Sequence, residues 1–467
     1  MTPTELAHLS ATELSQLIHS KEVSPVEVME AALGQIKTHN DTINAVVTLS
    51  DTALDEARAA EKKLMAGDEV GPLLGLPAGI KDVTPVAGMR TTYGSTMYSD
   101  YVPAEDALMV TRLKQAGAII VGKTNTPEFA TGGNTFNDVF GVTRNPWNTE
   151  RSVGGSTGGG AAALASGMIA IAEGTDLGGS LRIPASFCGI VGLRPSPGLV
   201  PTYPTEFPWD NMQVTGPMAR TAADIALILQ SVAGPSPFAP MTQPIAGRDF
   251  VAAVNNGVPA GTRIAYCPDI AHIGVEESVE SLCRTASFNM TQIDATVTEY
   301  DFDLSMGRKP FLAIRGMWML VQQNRDLGLV SQMGSNLAGN VRAGLELEMR
   351  KLGDAEHVRG QIWHIFRRFF YEFDYLLTPC LPIPPFLATQ NYPETISGKK
   401  MKTYIDWVAP TFLLSLTGLP VACVPVGLTV DGLPVGLQIV GPPQGEEKVL
   451  ALAHQIQKAH PIGLPYK

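Results

Sequence analysis

Residues 154–160 read GGSTGGG and residues 174–180 read GTDLGGS, inside the most Gly- and Ala-rich part of the chain. Glycine is costly to order, so a fold keeps this density only where the backbone takes a special shape or approaches something closely. Residues 161–168, AAALASGM, carry small side chains nearly all round. They predict a buried helix that lets neighbouring backbone come near. The two Gly-Gly-Ser triplets place Ser156 and Ser180 twenty-four positions apart. A phosphate cradle, a serine nucleophile or tight packing alone could each explain such glycines.

The phosphate loop fails first, because its pattern ends in Gly-Lys-Ser/Thr and none follows GGSTGGG. Gly158, Gly160 and Ala163 match the looser GxGxxA dinucleotide fingerprint. That motif follows a strand, and the preceding NPWNTERSV does not read as one. Residues 154–158 also satisfy GxSxG, the nucleophile elbow, which needs the same strand plus a downstream acid and histidine. Of the eight histidines, five lie downstream (His272, His357, His364, His454, His460), each in ordinary helix-like or surface-like surroundings.

A serine hydrolase with a different base is the third reading. A serine hydroxyl is a poor nucleophile until something takes its proton. A lysine can take it only when neutral, which requires burial or a nearby like charge. Lys81 ends the apolar run Leu76-Pro77-Ala78-Gly79-Ile80, which reads as a buried strand. Taken alone, a lysine at a strand end is more often simply solvated.

Composition narrows the class. With 45% hydrophobic and 17% charged residues, the 467-residue chain predicts a globular protein with a sizeable core. A net charge of −11 lacks the basic stripe of a nucleic-acid binder. No apolar run reaches the roughly 18 residues of a membrane helix, and the N-terminus has no signal-peptide pattern. Cys188, Cys267, Cys283, Cys380 and Cys423 are scattered and form no CxxC, so buried reduced thiols in a cytoplasmic protein are expected.

The order of elements predicts an α/β fold. Ser10-x-x-Glu13 and Ser24-x-x-Glu27 read as capping boxes. A helix over 105–116 is closed by Gly117 and followed by a strand over 118–121. Pro- and Gly-rich residues 234–262 mark a boundary with a more variable section. Beyond them come a strand (263–267), a helix (275–289), a strand (295–300) and a mainly helical stretch (305–373). Strands return at 375–379 and 421–440, the latter with an Asp431-Gly432 hairpin signal, before a final helix over 446–458. Core-like strands at both ends of the sequence predict one large sheet assembled from distant segments.

The motifs GLPAGIKDV, GKTNTPEFA, FGVTRNPWN, VGGSTGGGAAA and GTDLGGSLRIPASFCGIVGLRPS, in this order and spacing, resemble the amidase signature family. The likeness is dense over residues 73–202 and resumes around TPCLPIPP and VACVPVGLTVDGLPVGLQIVGP. It implies a single domain over 1–467, with a large mixed sheet covered on both faces by helices and a substrate-shaping section at 234–373. It also implies a triad of Ser180, the nucleophile, Ser156, a relay after a cis peptide bond, and Lys81, the base. The oxyanion hole falls on the N–H groups of Leu177, Gly178, Gly179 and Ser180, and a substrate-contact loop on Ala130, Thr131 and Gly132. Asp176 and Arg182 would brace the catalytic loop. Departures from the family pattern are mild: Val153, Thr157 and Arg194-Pro195-Ser196.

The resemblance implies hydrolysis of amide C–N bonds without cofactor or metal, on a small amide or carbamate substrate. No nucleic-acid or membrane partner is expected, and the assembly expected is a monomer or homodimer. Small, rather apolar amides or anilides are the first expectation, with carbamates and esters as extensions. A glutaminase subunit of a tRNA-dependent amidotransferase, or a non-catalytic binding protein on the same scaffold, are the alternatives. Phe311, Met317, Trp318, Met319 and Trp363 are candidates for an acyl or aryl pocket, although helical Met and aromatic residues more often build core.

Overall fold

In the computed structural model, which describes residues 1–466, eleven strands form one mixed sheet. They are β1 (Val46–Leu49), β2 (Pro77–Lys81), β3 (Ile119–Thr124), β4 (Ile171–Asp176), β5 (Val191–Arg194) and β6 (Val214–Ala219). The second half supplies β7 (Arg263–Tyr266), β8 (Thr296–Glu299), β9 (Tyr375–Pro379), β10 (Val421–Leu428) and β11 (Pro434–Val440). Their order across the sheet is β1-β3-β2-β4-β6-β5-β10-β11-β9-β7-β8. Strand β2 runs parallel to both β3 and β4, and β7 parallel to β8 and β9. The other pairs are antiparallel, so the sheet is mixed as the resemblance implied. Every residue of β2, β3 and β4 is buried, as parallel strands covered by helices on both faces require.

Local signals and structure agree at several ends. Both predicted capping boxes form, with Ser10 and Ser24 accepting from the Glu13 and Glu27 N–H groups while those carboxylates reach back. Asp431 and Gly432 lie between β10 and β11, which pair as a hairpin. The five cysteines are free and buried. No helix among the described residues is long and apolar enough to cross a membrane.

Other elements differ from expectation for physical reasons. The helix predicted over 105–116 begins only at Leu108, because the N–H groups of Ala107 and Leu108 are held by the Pro85 and Tyr203 carbonyls. The small-residue helix starts earlier, at Gly158, and ends at Ala165 before Gly167 with φ +71°. NPWNTERSV does contain a strand, Asn148–Ser152, but it lies outside the main sheet, paired with Arg144–Asn145 in a ribbon and bridged at Arg151 to Leu387. Its polar side chains lack the apolar alternation by which strands are read. The stretch 305–373 resolves into helices Arg308–Gln322, Ser335–Leu345 and Met349–Glu372 joined by turns.

The parallel trio β3-β2-β4 positions the chemistry. It brings the carboxyl ends Thr124, Lys81 and Asp176 to one edge, where open α/β sheets place ligands. The helix Gly158–Ala165 packs on β2, β3 and β4, and its glycines permit that closeness. A Cβ on Gly159 would stand 2.3 Å from the Asn125 backbone nitrogen and 2.8 Å from the Ala45 carbonyl oxygen. Alanine normally favours a helix over glycine by about 1 kcal/mol. Here Gly159→Ala is expected to destabilise by about 1–3 kcal/mol, the usual cost of overpacking, read as a lower urea midpoint.

Candidate active site

Lys81 ends β2, and its register beside β4 sets its ammonium against Thr175. The side chain is fully buried; Nζ donates to Ser156 Oγ at 2.7 Å and to Thr175 Oγ1 at 3.0 Å. Burial lowers the Lys81 pKa to about 7, against the opposing pull of the Glu173 and Asp176 carboxylates. A lysine that loses its proton near neutrality, hydrogen-bonded to a hydroxyl, can exchange a proton with it. The Gly155–Ser156 peptide bond is cis.

Two buried ionic groups surround this lysine. On one side Glu173 accepts from the Lys81 N–H at 3.2 Å and the Thr84 hydroxyl at 2.9 Å, and burial raises its pKa. Lys123 donates to the Thr84 carbonyl and to Thr91 Oγ1, with Asp82 at 3.9 Å. On the other side Asp176 receives Arg182 in a two-pronged contact, Nε and Nη2 each at 3.0 Å, and Arg194 Nη1 at 3.2 Å. Burial alone would raise the Asp176 pKa, but the two guanidiniums outweigh it and hold the carboxylate well below its usual range.

Asp176 also shapes the glycine loop. Its carboxylate accepts from the Gly179 N–H at 2.8 Å and the Leu181 N–H at 3.2 Å. Gly179 has φ +121°, and a Cβ there would lie 2.3 Å from Thr411 Oγ1, so no other residue fits. The N–H groups of Leu177, Gly178 and Ser180 make no hydrogen bond among the described residues and remain available to an anion. The Gly179 N–H is already taken, which sets it apart from the other three predicted donors.

Ser156 and Ser180 line one chamber, with a cavity volume of about 50 Å³. Phe311, Trp318, Met319, Val408 and Phe412 form its apolar wall, and the Phe311 and Phe412 rings stack at 4.2 Å. Met317 and Trp363 are not in that wall, and Trp363 is on the surface. Ala130 and Gly132 line the chamber, whereas Thr131 does not; its hydroxyl donates to the Phe129 carbonyl. The loop is shaped by Phe129 and Ala130, both at positive φ. No histidine lines the chamber. A wider vestibule of about 330 Å³ adjoins it, bearing Tyr93, Tyr98, Tyr101 and Tyr203. Residues missed in the sequence include Thr175, Glu173 and Lys123; the only signal for the last was a lysine inside the otherwise strand-like IIVGKT.

A buried lysine bonded to a serine, with a second serine on a glycine loop of free N–H donors, supplies the groups that serine-based hydrolysis would need without a histidine. The family model Amidase matches residues 27–450, so the chain belongs to the amidase family. It is 33% identical to an acylamidase of Rhodococcus erythropolis, over 92% of this chain and 91% of that one. It is 34% identical to a glutamyl-tRNA(Gln) amidotransferase subunit of Carboxydothermus hydrogenoformans, over 91% of each. Among solved structures, a bacterial aryl acylamidase of the amidase signature family superposes with a TM-score of 0.91 at 29% identity, covering 98% of each chain. The protein is an amide-hydrolysing enzyme with the amidase signature fold.

Asp176→Asn is expected to remove the counter-charge of two fully buried arginines. Breaking such a pair costs about 3–5 kcal/mol, so the thermal midpoint should fall sharply. A midpoint within a degree of wild type would show that the arginines find other partners.

Proposed function

We propose that the chain hydrolyses small, rather apolar amides and anilides through an acyl-enzyme on Ser180. The observation that carries this is the 2.7 Å contact between the buried Lys81 ammonium and Ser156, whose hydroxyl shares a chamber with Ser180. With Lys81 neutral, the Ser156 hydroxyl turns to donate to Nζ and can accept the Ser180 proton. Ser180 Oγ bonds to the amide carbon as its proton passes through Ser156 to Lys81. The carbonyl oxygen takes up the electron pair and is met by the Leu177, Gly178 and Ser180 N–H groups. One such donor contributes about 2.7–4 kcal/mol in the transition state. Collapse breaks the C–N bond, and the proton returns through Ser156 to the leaving amine. Water then adds to the acyl carbon by the same relay and frees Ser180.

The apolar wall and the tyrosine-rich vestibule support amides with apolar or aromatic portions. Carbamates and esters present the same carbonyl to the same groups and fall within the proposed range. A glutaminase role draws support from the amidotransferase relatives. Against it, no acidic side chain lines the chamber to meet the α-ammonium of glutamine.

A fluorophosphonate probe is expected to label the wild type and not Ser180→Ala. Full labelling of the variant would place the nucleophile elsewhere. The sign of the pH dependence follows from Lys81, which is a base only without its proton. kcat/KM should therefore climb as pH rises through about 7 and level off above it. One unit below that point it should be about tenfold under the plateau. A profile flat from pH 5.5 to 8 would rule out Lys81 as the base.

A further inference from the structure

The chamber that holds both serines is lined by one charged side chain, Arg315, and by no carboxylate. Arg315 belongs to the helix Arg308–Gln322, on the face that also carries Phe311, Ile314, Trp318 and Met319, and is only 6% exposed. Its hydrogen-bond partners are neutral: Nη1 donates to Asn340 Oδ1, and Nη2 to the Tyr404 hydroxyl at 2.6 Å. The guanidinium also lies 5.6 Å from the centre of the Tyr404 ring. A guanidinium has five N–H donors, so three have no acceptor among the described residues. No acidic oxygen comes within 4 Å of it among those residues.

The other buried arginines are provided for. Arg182 and Arg194 share the Asp176 carboxylate. Arg220 donates to the Leu9, Leu164 and Ile169 carbonyls and feels the Asp224 charge. In the vestibule, Arg325 pairs with Glu206 at 2.9 Å on the surface. A desolvated cation without an anion is costly, and proteins meet that cost with a paired charge or a ligand. Of these arginines Arg315 alone lines the chamber, so the natural place for its counter-ion is the substrate.

We infer that Arg315 is a specificity residue, and that the preferred substrates are amides whose acyl portion ends in a carboxylate. This rests on the amide-hydrolase reading above and deepens it. The acyl portion occupies the small chamber, its chain along Phe311, Trp318 and Phe412 and its carboxylate on the guanidinium fork. The amine portion leaves through the tyrosine-lined vestibule. The same charge pattern, a cation with no anion, accommodates a dicarboxylic acid monoamide and not an amino acid amide. A merely structural Arg315, bridging Asn340 and Tyr404, would serve neutral and anionic substrates alike.

The test compares N-phenylsuccinamate with butyranilide, which share the anilide and the acyl length and differ in the terminal carboxylate. In the wild type at low ionic strength, kcat/KM for N-phenylsuccinamate should exceed that for butyranilide at least tenfold. Arg315→Gln should bring that ratio to about one or below, and Arg315→Lys, which keeps the charge, should restore part of it. A wild-type ratio of one or less overturns the inference, as does a ratio that Arg315→Gln leaves unchanged. If Arg315→Gln does not fold, the wild-type ratio and the Lys variant decide. Equilibrium binding of the two anilides, followed by tryptophan fluorescence, separates this inference from the hydrolytic reading. Tighter binding of the anionic anilide by at least tenfold supports Arg315 even if neither compound is cleaved. Equal binding rejects it.

Discussion

Desolvation of one ammonium group governs the architecture of this enzyme. Lys81 can act as a base near neutral pH only if water is kept from it, yet its strand neighbours bring the Glu173 and Asp176 carboxylates close. Each carboxylate would stabilise the charged lysine. Asp176 is occupied by Arg182 and Arg194, and Glu173 stands near Lys123. In the two ionic groups beside Lys81, the buried cations Lys123, Arg182 and Arg194 match the buried carboxylates Asp82, Glu173 and Asp176 in number. The remaining pull of Glu173 and Asp176 favours the charged lysine, and burial outweighs it.

That balance depends on close packing. Strands β2 and β4 must lie side by side with no water between them and the helix Gly158–Ala165. At position 159 only glycine lets that helix sit on the backbone of Asn125 and Ala45. The small residues and the buried charges are thus parts of one device: the first excludes water, and the second tolerates its exclusion. The same helix begins two residues after Ser156, which ties the Ser156 hydroxyl to the packing.

Much of this was legible in the residues. The hairpin at Asp431-Gly432 and the capping boxes at Ser10 and Ser24 follow from local pattern, because each is decided within a few residues. Lys81, Ser156 and Ser180 needed the family resemblance, since the glycine pattern alone would have favoured Ser156 as the nucleophile. What escaped is long-range. Thr175 meets Lys81 only through strand register, and Asn148–Ser152 pairs outside the main sheet with too few apolar residues to announce itself. Trp363 and Phe311 look alike in sequence, both bulky residues in helical stretches. Only the packing of their helices sends one to the surface and the other to the chamber. Arg315 left a trace, a cation on an otherwise apolar helix face, which periodicity alone would record as an imperfection.

The wall of the chamber and its chemistry come from separate parts of the chain, 311–412 and 81–182, and they are fastened together at a few points. Thr411 donates to the Gly178 carbonyl at 2.6 Å and gives its own carbonyl to Arg182, while Ser415 accepts from the same guanidinium. The glycine loop that carries Ser180 is therefore pinned to the segment that forms the chamber's apolar wall. Side chains at 315, 318 and 319 face the cavity from a helix that holds none of these pins. Substrate scope can drift along that helix while the reacting atoms keep their alignment, whereas a change at Thr411 would disturb scope and turnover together.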